Sequence, residues 1–308
     1  MPAPALARLL ARDTVHGLYP GTVEAVPQGL RIEGKPVAVF NEADPAAIPW
    51  EESGIEVVVE ATGRFLRRED AAVHLRGSIR TVVLTANSDD ADVTLCLGLN
   101  ERALDTSRHQ VVSNASCTTN CLALTIAVLH EAFGVRRALM NTVHGYTENQ
   151  RLVDQWHPDP RRSRAAAINV IPTATTAAGA LGRVIPELAG VVQGFATRVP
   201  TPAVAMLDLA ANLDRDVSAE EVRDAYRRAA SGRFAGLLGA VEDELVSSDF
   251  IGDPRSTVID LPLIQVAGGR LARVVAWYDN EWGYAHRLAG LLSLIARTSP
   301  RIPTNSET

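Results

Sequence analysis

The sequence predicts an α/β protein that combines a doubly wound parallel sheet with a second, α+β unit built on a mostly antiparallel sheet. Short apolar strands with an interposed helix indicate the parallel sheet, because such strands are buried on both faces. After Cys117 the β-prone runs become longer and the helices between them sparse, which favours an antiparallel sheet with helices on one face. The strands of the first sheet are predicted at 55–61, 81–84, 93–97 and 111–112, with the helix at 68–75.

The chain after residue 116 is predicted to hold one long helix, two further helices and five strands. The long helix covers roughly 117–133, where apolar residues recur at helical spacing. A capping box at Ser218–Glu221 opens the next helix, which runs through about Ser231. The last helix runs from about Glu281 towards Ala296, and the polar tail 298–308 is expected to fray. The predicted strands are 138–146, 191–199, 203–212, 257–266 and 271–278.

Composition excludes several classes of function. The chain has 308 residues, of which 46% are hydrophobic, enough for one large or two ordinary domains. Its net charge of −6 argues against nucleic acid or an anionic membrane as a partner. No apolar run reaches the roughly 18 residues of a membrane span. Three cysteines and a start without signal-peptide regions favour a cytoplasmic protein without disulfides.

Cys117 is the candidate nucleophile. It stands where the short strand 110–112 is followed by the long helix, and Ser116 is available as the helix cap. The positive end of a helix dipole favours the thiolate, which is the reactive form of cysteine. A free cysteine is more often a small buried hydrophobic residue, and Cys96 and Cys121 keep that interpretation.

The tract SNASCTTN at 113–120 resembles the active-site signature of the phosphorylating glyceraldehyde-3-phosphate dehydrogenases. Further segments resemble the same family, in its order and nearly its spacing, from about Leu6 to Ala296. They are DTVHG at 13–17, ATGRF at 61–65, TVHGYT at 142–147, RVPTP at 198–202 and WYDNEWGY at 277–284. The resemblance implies a Rossmann-type dinucleotide-binding domain at 1–116, completed by the C-terminal helix 281–308, and an α+β catalytic domain at 117–280.

This resemblance implies oxidation of an aldehyde through a cysteine thioester. The Cys117 thiolate attacks the aldehyde carbon, and the Cys117 backbone amide steadies the oxyanion. His144 matches the family's catalytic base, stabilises the thiolate as a partner cation and takes the hydroxyl proton. A hydride passes to NAD or NADP, and inorganic phosphate releases the acyl group as an acyl phosphate. Outside this context, a lone histidine in such a strand is more often a satisfied core or surface residue.

Two phosphate pockets are implied by matched positions, one for the substrate's own phosphate and one for the attacking ion. Thr147 and Arg198 align with family residues that hold one phosphate. Hydroxyls and an arginine fork suit such a ligand. Taken alone, these residues would be ordinary polar positions on strands and loops. The residues that align with the other pocket are Ser116, Thr118 and Thr175.

The second pocket departs from the family pattern at Thr176, which is the remaining candidate phosphate-binding residue. The family usually has glycine at this position, and it often has lysine where Gly179 stands. A β-branched side chain adds bulk beside the expected phosphate and resists positive φ. Glu148 adds a negative charge after the other pocket. The affinity for phosphate and the identity of the substrate are therefore left open by the sequence.

Five residues are candidates for cofactor contacts. Thr62 and Gly63 follow one predicted strand and Thr85 ends the next, where ligands of open α/β sheets gather. Asn280 matches the family residue that contacts the nicotinamide amide, and Tyr284 packs nearby. The family opens with a strand and a GxGxxG turn that lets the backbone approach the pyrophosphate. No GxGxxG occurs in this sequence, so we expect the Rossmann-type sheet to be truncated by about 30 residues and the chain as written to bind a dinucleotide poorly.

Several alternatives stay open. The missing beginning is explained either by a gene start placed too late or by a shortened paralogue. The functional alternatives are an erythrose-4-phosphate dehydrogenase, which usually lacks the Tyr146–Thr147 pair, and a non-catalytic paralogue with a binding or regulatory role. The resemblance also implies a homotetramer, in which the segment 148–170 crosses a subunit interface. Taken alone, the arginines of that segment would form a solvated face.

Overall fold

The computed structural model describes residues 1–298, and the tail 299–308, which includes the predicted end of the cofactor domain, lies outside the described residues. The N-terminal part holds a helix, a hairpin and a three-stranded antiparallel sheet that the sequence pattern did not predict. In the last hairpin Glu33 and Gly34 have φ of 48° and 76°, as a two-residue type I′ turn requires. The elements are α1 (Ala3–Ala11), β1 (Arg12–Asp13), β2 (Gly17–Leu18), β3 (Val23–Val26), β4 (Gly29–Ile32) and β5 (Lys35–Ala38).

A four-stranded parallel sheet follows. Its strands are β6 (Val57–Glu60), β7 (Thr81–Leu84), β8 (Val93–Thr94) and β9 (Val111–Ser113). They lie in the order β6-β7-β9-β8, and every pair is parallel. Ala71 of α2 (Arg68–Ala71) packs on one face, and Leu291 and Ile295 of the C-terminal helix pack on the other. The predicted doubly wound, Rossmann-type class is confirmed, because both faces of a parallel sheet are covered by helices.

The second part is built on an eight-stranded mixed sheet. Its strands are β10 (Val135–Gly145), β11 (Ile171–Thr173), β12 (Val192–Val199), β13 (Ala205–Leu213), β14 (Leu238–Val241), β15 (Thr257–Asp260), β16 (Gln265–Ala267) and β17 (Leu271–Tyr278). Their order is β11-β12-β10-β13-β17-β15-β14, with β16 beside β17. Only β10–β12 and β14–β15 are parallel pairs, so the predicted mostly antiparallel sheet is confirmed. The helices are α3 (Cys117–Phe133), α4 (Ala177–Val184), α5 (Ala219–Ser231) and α6 (Trp282–Thr298).

Two predicted strands are cut short by local structure that the sequence pattern did not show. The strand at 93–97 ends after Thr94, because the Asn100 side chain accepts from the Cys96 amide and donates to the Thr94 carbonyl, both at 2.9 Å, and so turns the chain. The strand at 257–266 is broken by a 3₁₀ turn at Leu261–Leu263, whose proline has no N–H to give to a sheet. The capping box at the start of α5 is present as predicted.

Helix α3 links the two sheets and forms the centre of the main hydrophobic core. Every residue from 118 to 129 is buried, which is typical of a helix that packs on all sides. Because α3 starts directly after β9, its first residue is held at the carboxyl edge of the parallel sheet. None of the helices within residues 1–298 is long and apolar enough to cross a membrane.

The register of β10 and β12 places two candidate site residues side by side. The strands are parallel, and His144 is the direct partner of Arg198 in the ladder. On its other edge β10 pairs with β13, which fixes the strand in the middle of the sheet. The neighbouring ends of β10 and β12 therefore carry His144 and Arg198 side by side.

Candidate active site

Cys117 is the first residue of α3, as the sequence predicts. The Ser116 side chain caps the helix by accepting from the Thr119 amide at 3.1 Å. Ala115 before it has φ of +54°, a conformation that costs energy for a residue other than glycine. The Tyr284 hydroxyl donates to the Ala115 carbonyl at 3.0 Å and helps to hold this turn. The strained loop fixes the direction in which the thiol points.

The Cys117 thiol lies next to the His144 imidazole. Cys117 Sγ lies 3.7 Å from His144 Nε2, within the range of a sulfur hydrogen bond. His144 is 4% exposed, and its ring stands edge-on to Tyr278 with 6.1 Å between the ring centroids. The predicted nucleophile and base, which are 27 residues apart in the sequence, are thus brought together by α3 and β10.

The ionisation of this pair differs from the sequence prediction. Burial raises the pKa of the Cys117 thiol, although hydrogen bonds from Thr118 and the charge of Arg198 act in the opposite direction. Burial, together with the Arg198 charge, lowers the pKa of His144 to about 4. Desolvation therefore opposes the helix dipole at this site and favours the neutral pair over the expected thiolate and imidazolium, which stay a prediction. At neutral pH the pair is a thiol beside a neutral imidazole.

The contacts of the His144 ring bear on which of its two nitrogens carries the proton. Nδ1 lies 2.7 Å from the Gly145 carbonyl oxygen, which only accepts, and 2.9 Å from Arg198 Nη1, which only donates, so the tautomer decides which of these two hydrogen bonds forms. Arg198 Nη1 donates to the same carbonyl at 2.9 Å. Because Arg198 Nη1 has the Gly145 carbonyl as its own acceptor, we assign the ring proton to Nδ1, which turns the lone pair of Nε2 towards the Cys117 sulfur. In this tautomer His144 is arranged as a base that accepts the thiol proton.

Arg198 forms the positive end of the site. Its Nη1 lies 3.4 Å from the Thr147 hydroxyl, and its buried Nε has no hydrogen-bond partner among the described residues. A buried donor without a partner is costly unless a ligand fills the place. Arg162, one of the arginines of the segment 148–170, is largely buried, and its charge lowers the pKa of both Arg198 and His144.

The hydroxyls of the other predicted phosphate ligands each have a different hydrogen-bond partner. The Thr118 hydroxyl is buried and lies 2.8 Å from the Tyr278 hydroxyl, so it does not join the others. The Thr175 hydroxyl accepts from the Ala177 amide at the start of α4. The Thr176 hydroxyl accepts from the side chain of Asn87, a residue that the sequence analysis did not single out. Tyr278 was also missed as a site residue, although it lies within the WYDNEWGY segment.

The chain matches family patterns over both parts. Residues 116–280 match the family described as glyceraldehyde 3-phosphate dehydrogenase, C-terminal domain, and residues 1–68 match glyceraldehyde 3-phosphate dehydrogenase, NAD binding domain. The chain belongs to the glyceraldehyde-3-phosphate dehydrogenase family. The resemblance predicted from the sequence is thereby confirmed.

Individual members of this family are similar over nearly the whole chain. Glyceraldehyde-3-phosphate dehydrogenase 1 of Bacillus cereus is 47% identical over 289 residues, which cover 94% of this chain and 86% of the relative. The enzyme of Geobacillus stearothermophilus is 47% identical over 294 residues, 96% of this chain and 88% of the relative. Glyceraldehyde-3-phosphate dehydrogenase 2 of Streptomyces arenae is 46% identical over 292 residues, 95% and 87% of the two chains.

A glyceraldehyde-3-phosphate dehydrogenase family member uses a nicotinamide dinucleotide, and the residues present fit its nicotinamide half. The buried Asn280 Oδ1 has no partner among the described residues, which leaves an acceptor for a carboxamide N–H. Thr62 and Gly63 follow β6, and the Thr85 hydroxyl donates to the Glu60 carbonyl at the same edge of the sheet. For the pyrophosphate, this sequence offers no GxGxxG turn. These contacts remain predictions.

The buried imidazole of this family member predicts sensitivity to acid. His144 has a pKa of about 4 in the folded protein and 6.5 as its ordinary value. Between these values only the unfolded chain binds the proton, so stability is lost as the pH falls from about 6.5 to about 4. We expect the free energy of unfolding in urea to drop by about 2 kcal/mol from this residue between about pH 7.5 and about pH 5.

The variant His144→Asn should remove this share of the pH dependence. His74, whose pKa is also lowered by burial, contributes a loss of the same sign and stays in both proteins. A variant that loses as much stability as the unmodified chain between the two pH values would show that His144 is not held neutral.

Proposed function

We propose that this protein oxidises glyceraldehyde 3-phosphate to an acyl phosphate with inorganic phosphate and with NAD or NADP. The observation that carries the proposal is the 3.7 Å contact between Cys117 Sγ and His144 Nε2, next to an arginine with a buried, unpartnered donor. A nucleophile, a base and an anion-binding group in one place are what thioester chemistry on a phosphorylated aldehyde needs. The family membership supports the same reaction.

In the proposed reaction Cys117 is the nucleophile and His144 is the base. His144 Nε2 accepts the thiol proton as Cys117 Sγ bonds to the aldehyde carbon, which gives a thiohemiacetal. We assign the Cys117 amide at the start of α3 as the donor to the oxygen on which charge develops. Bound NAD or NADP would supply the hydride acceptor. Phosphate oxygen then attacks the thioester carbon, the carbon–sulfur bond breaks, and the acyl phosphate leaves.

The proton balance explains why a neutral imidazole suits this site. A positively charged His144 could not take a proton from the thiol, whereas the neutral ring can. Once protonated, the ring sits beside the new sulfur–carbon adduct and can return the proton. The lowered pKa, about 4, makes His144 a weak base at rest. The anionic substrate would oppose the Arg198 and Arg162 charges and raise it.

A single-turnover experiment tests the proposed function. Without phosphate, the protein mixed with glyceraldehyde 3-phosphate and NAD should reduce about one equivalent of dinucleotide per chain, since the thioester has no acceptor. Added phosphate should allow continued turnover. Mass spectrometry should find the acyl adduct on the peptide that holds Cys117, which gives a readout that is independent of dinucleotide reduction. No adduct on that peptide would contradict the proposal.

The two alternatives give different outcomes in the same assay. An erythrose-4-phosphate dehydrogenase would show the larger kcat/KM with the four-carbon aldehyde. Tyr146 and Thr147 are both present, and Thr147 lies beside Arg198, so we place the three-carbon aldehyde first. A non-catalytic paralogue would form no adduct with either aldehyde, and the intact Cys117–His144 contact speaks against it.

We further propose that the protein is a cytoplasmic homotetramer. Five large apolar side chains in the segment 148–170 are between 65% and 81% exposed, which is typical of a surface that another chain covers. The reaction needs a reduced thiol, and the chain's three cysteines are free, as in a reducing compartment. The apolar residues are Leu152, Val153, Trp156, Ile168 and Val170.

The variant Trp156→Glu should dissociate the tetramer, because it places a charge in a buried apolar contact between chains. Light scattering coupled to size-exclusion chromatography would then report a smaller species. Val246, which is 60% exposed outside this segment, provides a matched control. If Val246→Glu changes the mass as much as Trp156→Glu does, the segment is not the interface.

A further inference from the structure

The DTVHG segment at 13–17 forms the turn between β1 and β2, and its histidine contacts the loop that precedes α6. His16 Nε2 lies 3.2 Å from Asp279 Oδ2, although the two residues are 263 positions apart in the chain. Because a carboxylate oxygen only accepts, the imidazole Nε2–H is the donor. The N-terminal turn therefore reaches the end of β17, next to the candidate cofactor residue Asn280.

Asp279 is 1% exposed, and its two oxygens accept from four N–H groups. Oδ1 accepts from the amides of Glu281 and Trp282, both at 2.9 Å. Oδ2 accepts from the Gly252 amide at 2.8 Å and from His16. Among the described residues, His16 is the one side chain that donates to this carboxylate. A buried carboxylate that loses a donor is costly, so the loop around Asp279 depends on His16.

The His16 side chain is itself held in one orientation. Asp13 Oδ1 accepts from the amides of Val15 and His16 at 2.8 and 2.7 Å, which fixes the backbone of the turn. The imidazole stacks on the Trp282 ring, with 5.3 Å between the centroids and 26° between the planes. The side chain is 13% exposed. The imidazole is therefore aimed at Asp279 with little freedom left to lose.

The turn that Asp279 closes carries Asn280 at its centre. By accepting from the amides two and three residues on, the Asp279 side chain bends the backbone around Asn280. The buried Asn280 Oδ1 has no partner within residues 1–298. On the far side of this turn, the Tyr284 hydroxyl donates to the Ala115 carbonyl at the start of α3. The direction in which Asn280 points thus depends on how Asp279 is held.

We infer that His16 is a positioning residue for the nicotinamide: by donating to Asp279, it holds the turn that keeps the Asn280 oxygen available to the carboxamide N–H. The inference rests on the proposed function, because it concerns the dinucleotide that accepts the hydride. His16 acts through Asp279 and Asn280, so its removal should change how the nicotinamide is recognised and leave the acylation of Cys117 as it is.

Two substitutions separate the N–H donor of His16 from its ring. His16→Gln keeps a side-chain N–H for Asp279 and loses the stack on Trp282, whereas His16→Phe keeps the stack and loses the donor. The two hydride acceptors compared are NAD and its 3-acetylpyridine analogue, in which a methyl group replaces the amino group of the carboxamide. A site that hydrogen-bonds a ligand N–H discriminates against an analogue without it.

We expect His16→Phe to lower the preference for NAD over the analogue about 5- to 10-fold, as the weakening of one hydrogen bond predicts. The preference is the ratio of the two kcat/KM values, taken from initial rates below saturation, so that weak binding does not obscure it. His16→Gln should keep the ratio within about twofold of the unmodified chain. A merely structural defect would lower both kcat/KM values alike and leave the ratio unchanged.

Hydrogen exchange in the protein without dinucleotide gives a second readout, which does not depend on activity. The amides of Trp282 and Gly252 donate to Asp279, so both should exchange faster in His16→Phe, by about tenfold, and at the original rate in His16→Gln. His286 provides a matched control, because its exposed ring also lies against Trp282, at 5.6 Å, without a contact to Asp279. His286→Phe should change neither the ratio nor the exchange.

Acylation by p-nitrophenyl acetate shows whether Cys117 is affected. The sulfur–carbon bond forms, the ester carbon–oxygen bond breaks, and p-nitrophenolate leaves as a measurable burst that needs no dinucleotide. This burst should be equal in the unmodified chain and in both His16 variants. An unchanged ratio in His16→Phe, or an equal fall in His16→Gln or His286→Phe, would overturn the inference alone. A missing burst in the unmodified chain, or reduction of neither dinucleotide, would overturn the proposed function and this inference together.

Discussion

Serine in place of Cys117 is expected to reduce turnover on the order of 10⁴-fold or more, while the fold stays intact. The replacement changes one atom at the first turn of α3 and leaves the Ser116 cap in place. A serine hydroxyl holds its proton far more tightly than a thiol does. With a His144 pKa of about 4, the imidazole is too weak a base to remove that proton. The measurement is the steady rate of dinucleotide reduction, with circular dichroism to check the fold.

Cys121 offers a matched control on the same helix. It lies one turn after Cys117, is fully buried, and contacts the Thr257 hydroxyl at 3.4 Å. Cys121→Ser should therefore keep the activity and change only the stability. Activity retained in Cys117→Ser, or lost equally in both variants, would remove Cys117 from the mechanism.

The local parts of the site were predictable because they depend on neighbouring residues. The start of α3 at Cys117 follows from a capping serine and the apolar spacing of the helix, and both are short-range signals. The classes of the two sheets follow from the length and spacing of strands. The turn at Asn100 was not predictable in the same way, because a side chain four to six residues away ends the strand β8.

The long-range parts depend on the register of strands and on burial, which a single sequence does not specify. His144 and Arg198 become neighbours only through the parallel pairing of β10 with β12. Arg162 belongs to a run of arginines that, taken alone, reads as a solvated face, and it is largely buried near both residues. Asn87 carried no motif and is recognised only by its contacts with Thr176 and Ser116.

The ionisation of the Cys117 thiol also depends on burial, which a single sequence does not specify. The helix dipole is readable from the sequence and predicts a lowered pKa for Cys117. Desolvation is a property of the packed molecule, and it raises the pKa instead. The sign of a pKa shift at a half-buried helix start thus depends on the balance of two effects, of which only one is visible in the chain.

The variant His144→Asn is expected to slow acylation of Cys117 about 10²- to 10⁴-fold, the range that a general base supplies. Asparagine approximates the shape of the ring near Gly145 and cannot accept the thiol proton. The measurement is the initial burst with p-nitrophenyl acetate, which requires no dinucleotide. His286 is exposed and lies on α6, so His286→Asn is the matched control and should leave the burst rate unchanged.

The pH profile of the unmodified chain decides between a neutral pair and an ion pair at this site. A thiol whose pKa lies above its ordinary value of 9.0 should react with iodoacetamide at a rate that rises about tenfold per pH unit from about pH 6 to about pH 9. A thiolate paired with an imidazolium would instead react at a constant rate over much of that range, because its charge would already be present. In His144→Asn the slope should persist, since the thiol then ionises without a neighbouring base. A plateau in the unmodified chain that disappears in this variant would show that the helix dipole and the imidazole overcome burial, and that His144 acts in the free protein as a cation.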